Sequence, residues 1–151
     1  MSDHCPHCGG VLEPEGKPRS HQDHKRFFAM IDAAFHNWPE AHEFEPDSSE
    51  HLRSWLLCKA NYRTNTLITI DDPAHMQQAM HGAEAALNAA GTYAFIRPAR
   101  DGFAVIRAKS INWKTLGQQA FGKLREDVET IIHAELGISG DELLDQHKRA
   151  A

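Results

Sequence analysis

Large apolar residues recur at helical spacing from Phe27 and Phe28 through Ile31 and Phe35 to Trp38, which predicts a helix with one buried face. Ser20 precedes it as an N-cap, Asp23 follows three positions later as an acidic variant of the capping box, and Pro39 stops it. Beyond the polar loop PEAHEFEPD, Asp47 or Ser48 caps a second helix carrying Leu52, Trp55, Leu56 and Ala60. The two helices are expected to pair antiparallel. The run TNTLITI at 64–70 is rich in β-branched residues and reads as a strand. Asp72 and Pro73 then supply a cap and a first-turn proline for an alanine-rich helix over 75–90, ended by Gly91.

Two short strand-like runs, 93–97 and 103–109, are joined by PARDG and predict a hairpin. A long helix within 111–136 turns Leu116, Phe121, Leu124, Val128, Ile131 and Ile132 inward and is closed by Gly137. A short helix at 141–147 carries Leu143 and Leu144. The order α-α-β-α-β-β-α-α implies an α+β fold, a small sheet packed against several helices, over residues 19–151. Residues 1–18 stand apart, because Val11 and Leu12 are almost their only large apolar side chains and burial cannot offset the entropy of ordering them.

What can organise that segment is a metal. Cys5 and Cys8 form C-x2-C followed by two glycines, and His21 and His24 complete C-x2-C-x12-H-x2-H. Two thiolates and two imidazoles suit a tetrahedral Zn2+, and such an N-terminal zinc knuckle would staple the segment to the start of the first helix. His4 is an alternative to one of the helix histidines, and four ligands leave no open position for catalysis. Cys58, the third cysteine, reads as a small core residue of the second helix. An odd cysteine count without secretory-signal features points to a reducing, cytoplasmic setting, and no apolar run is long enough for a membrane span.

Net charge is -5, yet the charges are segregated. Between Arg97 and Arg125 there are seven basic residues against the single acid Asp101, whereas 27–52 and 126–147 hold acids and neither Lys nor Arg. Arg97, Arg100, Arg107 and Lys109 on the hairpin, with Arg19, Lys25 and Arg26 at the first helix start, are candidate phosphate contacts. Tyr93, Phe95, Phe103 or Trp113 are candidate stacking partners. Such basic residues can equally pair with acidic helices of the same fold or of a second subunit. His36, His42 and His51 flank the acidic loop with Glu43, Glu45 and Asp47, a set that could hold a catalytic divalent ion; their spacing matches no nuclease or hydrolase motif, and the chain is expected not to be an enzyme.

From Arg19 onward the chain resembles a family of phage and prophage proteins. The likeness lies in RSHQDHKRFFAMIDAAFHNWPEAHEFEPDSSEHLRSWLLCKANYR and SINWKTLGQQAFGKLREDVETIIHAELGISGDELL. The opening, Arg19-Ser20 followed by the aromatic helix at Phe27, is also similar to the start of the lambda NinB (Orf) recombination-mediator family, although Asp23 and His24 stand where that pattern has Gln and Asn. The first resemblance implies a phage-encoded accessory protein acting in a bacterial host cell. The second implies binding to single-stranded DNA, or to the host single-strand-binding protein, during recombination or replication. The sequence thus leads to a zinc-binding, DNA-binding accessory protein, with an inhibitor of a host defence or replication protein, acting through its acidic surface, as the alternative.

Overall fold

The computed structural model describes residues 21–111 and 116–150, so Cys5, Cys8, Arg19, the proposed Ser20 cap and Trp113 lie outside the described residues. The fold is α+β, and its elements follow the predicted order. They cluster into two compact units. The first helix lies in one unit and the second in the other.

The helical unit contains α1 (His21–His36), α4 (Gln118–Leu136) and α5 (Gly140–Ala150). α1 ends three residues before Pro39, consistent with the bias of pre-proline residues away from helical backbone. Its stripe of Phe27, Met30, Ile31 and Ala34 is buried, as are Phe121, Leu124, Val128 and Ile132 of α4 and Leu143 of α5. Phe27 meets Phe121 edge-on with ring centroids 5.3 Å apart. Gly137 terminates α4 at φ 77, a left-handed conformation that glycine adopts at no steric cost. Arg26 reaches Glu129 at 3.2 Å and Asp141 at 2.8 Å, which ties α1 to both other helices.

The sheet unit spans Glu40–Lys109. It holds α2 (Ser49–Lys59), β1 (Arg63–Thr69), a 3-10 turn at Pro73–His75 capped by Asp72, α3 (Met76–Ala89), β2 (Phe95–Ala99) and β3 (Gly102–Ala108). α2 leaves through Asn61 at φ 64, where Tyr62 N–H donates to the Leu57 carbonyl; a left-handed residue there closes the helix and turns the chain into β1. The antiparallel sheet has the order β1-β3-β2, so the hairpin's second strand is central. Proline is tolerated in β2 at Pro98 because β2 is an edge strand. Gly102 begins β3 where a Cβ would collide with the Ile68 carbonyl oxygen, so the register of β1 against β3 requires glycine.

Candidate functional site

Strand alternation decides what the hairpin presents. Arg97 pairs with Ala104 and Phe95 with Ile106, so Phe95, Arg97 and Ile106 project from one face. Arg107, three positions beyond Ala104, projects from the other with Phe103 and Val105. The hairpin therefore offers two basic surfaces rather than one. Arg97 belongs to the first, Arg107 to the second, and Arg100 lies at the turn. The guanidinium groups of all three form no ion pair among the described residues, whereas Arg26 is held by Glu129 and Asp141. Partial burial works against the Arg26 charge, but the hydrogen bond to Asp141 and the attraction of Glu129 outweigh it and raise its pKa. Arg26 is thus engaged inside the helical unit. Lys25 is exposed on α1, and the Lys109 ammonium lies over the Tyr62 ring at 5.8 Å.

Of the proposed stacking residues, Phe103 is 2% exposed and serves the core. Tyr93 and Phe95 instead line a cavity of about 700 Å³ in the sheet unit, within the range of small-ligand pockets. Two ring stacks form its wall. Phe44 lies parallel to Trp55 with centroids 4.9 Å apart, and His51 lies parallel to Tyr93 at 4.6 Å and to Phe95 at 6.0 Å. Helical spacing explains two of these five rings: His51 and Trp55 are i, i+4 on α2 and share a face. Sheet alternation brings Phe95 and Arg97 to the same cavity, and Lys59, Arg63, Glu84 and Asn88 add polar groups.

Hydrogen bonds fix the rings. Ser48 caps α2 by accepting from His51 N–H at 3.1 Å, and its hydroxyl also meets the Tyr93 hydroxyl at 3.2 Å. Asp47 N–H donates to His51 Nδ1 at 3.0 Å, so Nδ1 holds the lone pair and the neutral ring carries its proton on Nε2. Burial lowers the His51 pKa, with the Asp47 carboxylate opposing, and the neutral ring is favoured. His42 plays a similar local role, accepting from Phe44 N–H at 2.9 Å with its ring edge-on to Trp55. His42 and His51 thus shape the acidic loop through their Nδ1 atoms, and His36 belongs to the helical unit. Cys58 is buried as expected of a core residue; burial raises its thiol pKa, with Arg63 opposing, which keeps it protonated and unreactive.

Of the expected zinc ligands, Cys5 and Cys8 lie outside the described residues and His21 is described in its backbone alone. The His24 ring is half-buried, 4.7 Å from Phe28 and 6.2 Å from Phe121 by centroid. Phe27, the described residue of the NinB-like match, is fully buried in the core of α1. The cavity was only partly legible from sequence. Tyr93 and Phe95 were candidates, but Phe44, His51 and Trp55 come from a loop and a helix whose closeness to β2 no local pattern announces. Comparison with protein-family models, curated proteins and solved structures finds no match.

Proposed function

We propose that the chain binds single-stranded DNA and holds an unpaired base in the ring-lined cavity of the sheet unit, with Arg97 taking an adjacent phosphate. The observation that carries this reading is one wall in which His51, Tyr93 and Phe95 stack while the neighbouring Arg97 has no ion-pair partner among the described residues. Base–aromatic stacking contributes about 1–3 kcal/mol per base and tolerates any sequence, since every base has a π face. A duplex hides those faces, which favours single strands. Glu84 and Asn88 can meet the polar edge of a base, because a carboxylate accepts from amino groups and an amide both donates and accepts.

Lys59, Arg63 and Arg97 are opposed in the same wall by Glu45, Asp47 and Glu84, so few phosphates are neutralised. The salt dependence is accordingly shallow, with a log–log slope of roughly -0.7 for each phosphate contacted. Anisotropy titration of a labelled oligothymidine tests the reading. Binding should exceed that of a duplex of equal length and should weaken on Tyr93→Ala by roughly 5-fold to 150-fold, the factor that one lost stacking partner implies. Arg97→Glu should weaken it further at low salt than at high salt. Absence of binding by the unaltered chain at low salt rejects the proposal, as does unchanged binding by both variants.

A further inference from the structure

The helical unit carries a second cluster of chemistry-bearing side chains. Asp32 and His36 are i, i+4 on α1 and therefore neighbours on one face. On α5, Leu143 and His147 have the same spacing, and Leu143 is fully buried, so His147 lies on the inward side of that helix. The two helices are in contact, and they bring one carboxylate oxygen and one nitrogen of each imidazole within 4.8 Å of one another.

The geometry points to a divalent transition-metal site formed by Asp32, His36 and His147, with Zn2+ as the ion whose preferences fit best. At metal–ligand distances near 2.0–2.2 Å, tetrahedral donors stand about 3.4 Å apart. His147 Nε2 and Asp32 Oδ2 are 3.5 Å apart, already the edge of such a tetrahedron. The His36 ring must move closer, and its side chain, 57% exposed, is free of the core packing that would resist a rotamer change.

His36 Nδ1 lies 2.8 Å from the Asp32 main-chain oxygen, a hydrogen bond only if Nδ1 carries the proton. In the present rotamer the lone pair then resides on Nε2. Two imidazoles and a carboxylate are a borderline donor set suited to zinc rather than to Mg2+ or Ca2+, which prefer all-oxygen shells. Three protein ligands leave a fourth position for water. An Asp–His pair from one helix and a histidine from its neighbour also follow the pattern by which helical bundles build metal sites between facing helices. This site shares no residue with the cysteine–histidine set expected at the N-terminus.

Co2+ titration of the full chain carrying Cys5→Ser and Cys8→Ser tests the assignment, because thiolate coordination is then removed. One equivalent should bind and develop visible absorption, and the ring-proton resonances of His36 and His147 should show paramagnetic shifts. Asp32→Asn and His147→Ala should each weaken binding roughly tenfold or more, whereas His133→Ala on α4 should leave it unchanged. Shifts at His36 and His147 report the site even if one variant folds poorly. No Co2+ binding up to millimolar concentrations overturns the proposal. So does binding that spares both resonances or is insensitive to both variants.

Discussion

His51 joins two roles, an aromatic partner and a backbone acceptor, and the acceptor role requires a neutral ring. Burial depresses its pKa, with Asp47 opposing, so the unfolded chain takes up this proton more readily than the folded one. The stabilisation is complete above the unfolded value of about 6.5 and is lost as pH falls through the lower folded value. Phenylalanine in its place keeps a stacking ring and removes the titration. Denaturant midpoints at pH 8 and pH 5 should therefore differ less for His51→Phe than for the unaltered chain. Equal differences would show that His51 does not titrate on unfolding. The other histidines and carboxylates are common to both proteins and cancel in the comparison.

The sheet is the element on which the cavity depends, and Gly102 sets its register. Gly102→Ala places a methyl against the Ile68 carbonyl, main-chain atoms that cannot rotate away. A loss of about 1–3 kcal/mol in a denaturation experiment is expected, by analogy with overpacked cores, and Gly82→Ala, where a Cβ meets nothing within 4 Å, is the control. A cost no larger than the control's would mean that β1 can shift without consequence. Much at this scale was legible in the sequence. The aromatic period of α1, the Asp72–Pro73 turn and the β-branched run of β1 each place an element within a few residues of where it stands. Boundaries were less so. The last helix continues to Ala150, three residues past the expected 147, because polar residues after Leu144 carry no periodic signal although His147 lies on the inward side. The division into two units was also hidden. It depends on which faces meet, and an amphipathic stripe reveals that a helix buries a face without naming the partner.

In the whole molecule, the segregated charge of the sequence resolves into different uses. Arg26 is engaged by acids of the helical unit, while Arg97, Arg100 and Arg107 on the hairpin form no ion pairs among the described residues. Among those residues no helix is long and apolar enough to cross a membrane. Each unit offers one candidate site, a ring-lined cavity in one and an Asp–His–His cluster in the other, and their tests use different ligands and variants. The DNA reading rests on the cavity accepting a base, and photocrosslinking measures that most directly. Irradiation of the full chain bound to a single strand carrying 5-iodouracil, followed by mass spectrometry of the digest, should place the adduct on Phe44, Trp55, Tyr93 or Phe95. Adducts confined to other residues would contradict the assignment of the cavity as the place where a base is held.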